Sequence, residues 1–171
     1  MSKLKILLIG PERAGKTTIA NALADPTRES LPTYRPTVGV RILDCEGTVF
    51  IGGRPEKVEY TLWDLSGDLK FEATWPVSQA DADGVMIISN GDLPLKTEEL
   101  EAWVKSFPKR MRLSPQQCIG LANHPSGVIP PDSAPFSVLS VGFTHCCFEE
   151  KVETIEQPVA RFLAKVLEKK K

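Results

Sequence analysis

Apolar residues cluster along the chain in short runs and spaced stripes, and the spacing predicts alternating strands and helices. Leu4, Ile6, Leu7, Leu8 and Ile9 form an apolar run like that of a strand buried on both faces of a parallel sheet. A helical segment over 18–24 follows, ended by Asp25-Pro26. Two further strands, 38–45 and 57–65, flank the turn Gly52-Gly53-Arg54-Pro55, with Val58, Tyr60 and Leu62 alternating against polar neighbours. That pattern predicts an antiparallel hairpin whose second strand joins the sheet beside the first element. Residues 68–80 read as a loop and weak helix, with Phe71 in the core and Trp75 partly exposed, suited to a partner surface.

The rest of the chain keeps the rhythm with one interruption. Residues 84–89 are a buried strand, and Leu100, Trp103, Val104 and Phe107 mark a helix that Pro108 stops. Another strand, 118–122, leads to Asn123-His124. Pro125, Pro130, Pro131 and Pro135 then exclude a helix interior. Strand character resumes over 136–144. A last helix carries Val159, Phe162, Leu163, Val166 and Leu167, starting between Thr154 and Pro158 because proline is tolerated near a helix start. Alternation with one early hairpin predicts an α/β fold, a doubly wound, mostly parallel sheet of six strands, with one domain over 1–171.

Composition narrows the function. Lysines and arginines (21) nearly balance acidic residues (22), so a nucleic-acid surface is not expected. No segment has the apolar length to cross a bilayer, and the N-terminus is unlike a signal peptide. Cys45, Cys118, Cys146 and Cys147 lack C-x-x-C spacing and read as packed, reduced thiols of a cytoplasmic protein.

The chemistry concentrates after the first strand. Gly10, Gly15, Lys16 and Thr17 have the spacing G-x-x-x-x-G-K-T between a strand and a helix, a phosphate cradle. Its backbone N–H groups, from Gly10 through Pro11, Glu12, Arg13, Ala14 and Gly15 to Thr18, curl toward phosphate oxygens; Pro11 contributes only its carbonyl. Lys16 reaches the outer phosphates, and the Thr17 hydroxyl ligates Mg2+. Thr37, in Pro36-Thr37 ahead of a strand, offers a second hydroxyl. Asp64 ends a strand and begins D-x-x-G, its carboxylate serving Mg2+ and the Gly67 N–H the terminal phosphate.

Gly10–Thr17, Pro36-Thr37-Val38-Gly39-Val40 and Trp63-Asp64-Leu65-Ser66-Gly67 together resemble the motifs of Ras-superfamily small GTPases, closest to the Rab branch. The wording G-P-x-x-x-G-K-T and W-D-x-x-G-D-x-K-F-E is most similar to the atypical Rab-like class that serves the intraflagellar transport B complex of cilia and flagella. The resemblance implies GTP or GDP with Mg2+, and ordering of 34–40 and 64–70 by nucleotide. It also implies docking onto a coiled-coil pair of intraflagellar transport B subunits, by a chain monomeric on its own and lacking the usual lipid tail.

The departures from that family are equally specific. Asp68 stands where a glutamine orients the attacking water, and Glu12 where fast members carry glycine. No catalytic residue is assigned, and hydrolysis is expected to be slow or negligible. In the base-reading motif N-K-x-D, Asn123 matches while Ser126 replaces the aspartate. Guanine preference should weaken, with ATP tolerated. His124 reads as solvated and His145 as an ordinary loop histidine. The family's fourth helix should be missing or reduced across the proline-rich segment. Two alternatives stay open: a structural pseudo-GTPase with permanently bound nucleotide, and a small P-loop phosphotransferase.

Overall fold

A computed structural model describes residues 3–25, 36–148 and 153–171. Among these, seven strands form one sheet in the order β2-β3-β1-β4-β5-β7-β6. The strands are β1 (Leu4–Ile9), β2 (Val40–Ile51), β3 (Arg54–Leu65), β4 (Gly84–Asn90), β5 (Cys118–Asn123), β6 (Phe136–Val138) and β7 (Val141–Cys146). The helices are α1 (Lys16–Ala24), α2 (Trp75–Gln79), α3 (Thr97–Val104) and α4 (Glu153–Lys170). β1 pairs in parallel with β3 and β4, β4 with β5, and β5 with β7; β2–β3 and β6–β7 are antiparallel.

Strand pleating sorts the apolar residues into two layers. Leu4, Ile6, Leu8, Met86 and Ile88 face one side, packing with Ile19 and Ala20 of α1 and Val159, Phe162 and Leu163 of α4. Leu7, Ile9, Val85 and Ile87 face the other, with Trp75 of α2 and Leu100, Trp103 and Val104 of α3. Helices on both faces of a mostly parallel sheet make this the expected doubly wound architecture. All four cysteines are buried free thiols, three of them pushed well above their ordinary range by burial: Cys45 to about 11, Cys118 and Cys146 to about 12.

Several local expectations are corrected. The sheet has seven strands, because 136–144 folds back on itself where Leu139 (φ 46°) and Ser140 (φ 74°) form a two-residue turn. Pro108 does not stop its helix: the chain widens into a π-helical turn at Lys105–Lys109, which relieves the clash of the proline ring with the preceding turn. Pro158 lies inside α4, five residues beyond Glu153. Phe71 and Trp75 exchange roles. Leu69–Thr74 is a 3₁₀ helix, and its tighter phase leaves Phe71 only half-buried. Trp75 turns inward, 5% exposed, with its ring 4.8 Å from Phe107 and 5.4 Å from Trp103. It is core, and offers no partner surface.

The proline-rich stretch 124–135 holds turns and no helix, as the sequence predicts. That leaves the β5–β7 flank covered by loop, and the loop carries part of the site described next. At the other end of the sheet, Lys170 reaches Asp83 at 2.8 Å and Lys171 reaches Glu56 at 2.8 Å, so these terminal lysines are engaged in ion pairs.

Candidate nucleotide site

β1 delivers the chain at Ile9 into a loop that Gly10 (φ 138°), Arg13 (φ 57°) and Gly15 (φ 94°) curl before α1 begins at Lys16. The loop with Pro36, Thr37, Ser66 and Gly67 bounds a small pocket of about 40 Å3. Lys16 lies inside, 7% exposed, its Nζ donating to the carbonyls of Gly10 (2.8 Å) and Pro11 (2.6 Å). Burial lowers its ammonium to about 8, against the opposing pull of Asp64 and Glu12. A cation held at such cost and partnered only by carbonyls is matched to an anionic ligand. Gly67 presses on the loop so closely that a Cβ would sit 2.5 Å from the Glu12 nitrogen, so only glycine fits there.

Three oxygens meet beside the pocket. Thr17 Oγ1 donates to Asp64 Oδ2 at 2.9 Å and lies 2.9 Å from Thr37 Oγ1; Thr37 Oγ1 is 3.4 Å from the same carboxylate oxygen. Each hydroxyl has one proton, so Thr17 gives its own to Asp64 and Thr37 gives its own to Thr17. Asp64 is 0% exposed, and burial raises its carboxyl, with bonds from Thr17 and the nearby Arg41 opposing. Its second oxygen, Oδ1, is buried without a partner. An orphaned carboxylate oxygen beside two hydroxyls is a hard-oxygen donor set of the kind Mg2+ takes, so the residues fit that ion. Among the described residues no group of three or more His, Cys, Asp or Glu side chains could hold a metal ion by itself, so Mg2+ here needs phosphate oxygens as well.

One member of this group escapes sequence reading. Arg41 Nη2 stands 3.3 Å from Asp64 Oδ2, because the β2–β3 register sets Arg41 directly opposite Asp64. The strand pairing was legible, but its register was not. Segments 36–40 and 64–70 are also tied together, Ser66 N donating to Gly39 O at 2.8 Å. Tyr34 and Arg35 lie outside the described residues.

The remaining candidates divide. Asn123 comes from β5 to the loop, Nδ2 donating to Ala14 O at 3.4 Å, with Oδ1 buried and unpartnered. Asp68 does not face the pocket as a free group. It caps the 3₁₀ helix by accepting from Lys70 N at 3.0 Å and pairs with Lys70 Nζ at 2.8 Å, and that bond holds its carboxyl below the usual range. Glu12 and Arg13 are exposed, and both line the small pocket. His124 overturns its reading: it is 1% exposed, bonded to Asp92 (2.8 Å) and His145 (2.9 Å). His145 belongs to β7, half-buried, and donates or accepts on both ring nitrogens. Neither is a free loop histidine.

A family model described as "Ras of Complex, Roc, domain of DAPkinase" matches residues 5–125. The zebrafish (Danio rerio) intraflagellar transport protein 22 homolog is 37% identical over 98% of this chain and 91% of its own length. The chain belongs to the intraflagellar transport protein 22 family. Two solved structures share its fold, both with TM-score 0.70: the GTP-bound crystal structure of T. brucei IFT22/74/81 (24% identity, 98% of each chain) and the GDP-bound crystal structure of T. brucei IFT22 (19% identity, 100% of each). This family member has the Ras-like GTPase domain that the phosphate loop and hairpin foretold, with seven strands and four α-helices among its described residues.

Proposed function

We propose that the chain is a Rab-like GTP-binding subunit of intraflagellar transport. In this reading nucleotide with Mg2+ rigidifies 36–40 and 64–70, which then dock onto B-complex subunits in the cilium or flagellum. The observation that carries the reading is the convergence of Thr17, Thr37 and Asp64 beside the phosphate loop, with Asp64 Oδ1 buried and unpartnered. Gly10–Thr18 would hold the phosphates, and Gly67 would sense the terminal one. When bound, Mg2+ supplies charge neutralisation between phosphate oxygens. Thr37 and Asp64 tie both switch segments to that charge.

The docking face has its own support. Val38 (78% exposed) and Leu69 (64%) stand out from these two segments and Ile42 (52%) from β2 beside them, apolar area that a partner would cover. The T. brucei complex unites IFT22 with IFT74 and IFT81. An equivalent pair of coiled-coil subunits is the partner proposed for this chain. Hydrolysis would be slow, since Asp68 is engaged by Lys70 and cannot orient water as a free amide does. That engagement also favours a second reading, a pseudo-GTPase whose nucleotide is a permanent fixture. Base selectivity would be relaxed, with ATP tolerated, because Ser126 donates both its N–H (2.7 Å) and its hydroxyl (2.9 Å) to Asp92 and offers no carboxylate to guanine.

Chromatography of the nucleotide released from purified protein tests both. A stoichiometric guanine nucleotide that exchanges with added GTP in the presence of Mg2+ supports the switch. A bound nucleotide that cannot be exchanged supports the fixture, and protein that carries no nucleotide as purified and takes up none at millimolar GTP refutes both.

A further inference from the structure

At the end of the β2–β3 ladder, Val40 stands opposite Leu65 and Arg41 opposite Asp64. Just beyond, Ser66 N donates to Gly39 O at 2.8 Å, so this is where 36–40 and 64–70 are joined. The cross-strand pair sets opposite charges face to face. Arg41 Nη2 is 3.3 Å from Asp64 Oδ2, with the carboxylate side chain 0% exposed and the guanidinium side chain 34%. The guanidinium is drawn inward far enough to bury its Nε, which finds no partner there. Among the described residues Arg41 is the cation in contact with Asp64, since Lys16 directs its Nζ to the carbonyls of Gly10 and Pro11.

A carboxylate this deeply buried needs a counter-charge, and stripping one partner from such a pair leaves the other uncompensated. The two oxygens of Asp64 divide the work. Oδ2 accepts from Thr17 at 2.9 Å and from Arg41 at 3.3 Å, whereas Oδ1 is buried and unpartnered. Resident donors therefore occupy one oxygen and leave the other to an arriving ion. A guanidinium and a divalent cation can share the carboxylate in this way without displacing each other. As like charges, however, each weakens the other's hold, and by linkage the effect is reciprocal.

We propose that Arg41 is a positioning residue of the metal site, a resident counter-cation that holds Asp64 and joins 36–40 to 64–70 when Mg2+ is not bound. The same charge repels Mg2+, so nucleotide retention depends less on the ion than the oxygen donors alone would make it. This rests on the reading of the pocket as a nucleotide and Mg2+ site.

Release of a fluorescent GDP analogue from the full protein, timed in EDTA and in excess Mg2+, gives a ratio of rates. In Arg41→Gln that ratio should be about tenfold larger than in wild type, and Mg2+ should reach half of its effect at about tenfold lower concentration. The contact is made through one guanidinium nitrogen, so the point charge of Arg41→Lys should keep the ratio within about threefold of wild type. A side chain that merely fastened β2 to β3 would speed release equally in both conditions. An unchanged ratio in Arg41→Gln therefore overturns the proposal, as does Arg41→Lys behaving like Arg41→Gln. Side-chain nitrogen NMR of nucleotide-free wild type in EDTA decides the ion pair without relying on the folding of any variant. The Arg41 guanidinium should rotate slowly there, as one held by a buried carboxylate does, and free rotation would overturn the proposal. A wild type that takes up no analogue at any Mg2+ concentration refutes the nucleotide reading, while the guanidinium spectrum still decides the pair.

Discussion

Lys16→Met separates what the phosphate loop costs from what it does. Lys16 is buried, and burial brings its ammonium from 10.5 to about 8. Each unit is about 1.4 kcal/mol, so holding the charge inside costs the folded, ligand-free protein on the order of 3 kcal/mol at neutral pH. The sign follows from proton counting: between the folded value of about 8 and the unfolded 10.5 the unfolded chain binds more protons, so stability rises with pH. Between pH 7 and pH 10 the wild type should therefore gain roughly 2–3 kcal/mol relative to Lys16→Met, which has no charge to shed. Absolute stabilities also fall as the buried thiols are titrated, but that loss is common to both proteins and cancels in the difference. Urea unfolding followed by tryptophan fluorescence, in EDTA and without nucleotide, measures it. Parallel pH profiles for the two proteins would show that the ammonium is not desolvated and would refute the argument. Lys16→Met should also lose nucleotide binding, since the anion it was held for has no counter-charge.

Other perturbations test separate parts of the site and core. Asp64→Asn removes the carboxylate of the oxygen triad, a charge-assisted contact of about 1.5–3 kcal/mol, so Mg2+ should slow nucleotide release about ten- to a hundredfold less than in wild type, read by stopped-flow with and without EDTA. Asp68→Gln frees the residue from Lys70 and restores a water-orienting amide; single-turnover GTP hydrolysis should rise by roughly ten- to a hundredfold, short of the 10³–10⁵ that an arginine finger supplies. Phe107→Ala opens a cavity between Trp75 and Trp103 in a fully buried layer and should cost about 3–5 kcal/mol by urea unfolding, with loss of the near-ultraviolet tryptophan dichroism.

What was legible in the sequence is what is contiguous in it. The phosphate loop is eight consecutive residues between a strand and a helix, and each of its constraints is local. Thr37 and Asp64 were legible because each sits at a strand end whose pattern is visible, and the sheet brings strand ends together. Residues whose role depends on partners far along the chain were not. His124 takes its environment from Asp92 and His145, 32 and 21 residues away, and nothing beside Asn123-His124-Pro125 signals burial. Trp75 failed for the same reason: nothing local separates it from Phe71, and its burial comes from Trp103 and Phe107 far along the chain. Pro108 failed because a π-turn accommodates what an α-helix does not.

The same contrast explains how this family member can keep a nucleotide while discarding half of the base-reading motif. Phosphate binding uses backbone N–H groups and one lysine, and those tolerate no substitution at Gly67, where a Cβ would strike the Glu12 nitrogen. Base binding uses side chains, and side chains can be exchanged provided the loop stays in place. Here Asn123 remains, fastened to the phosphate loop, and the fastening of the next three residues passes from a lysine and an aspartate to Asp92 and two histidines. In the proposed reading, affinity would then come chiefly from the phosphates and selectivity from little else. A chain built this way discriminates the number of phosphates better than the kind of base. That is the property the proposed docking subunit would need: in that reading its partner reads the order of 36–40 and 64–70, which the terminal phosphate and Mg2+ would control through Thr37 and Gly67.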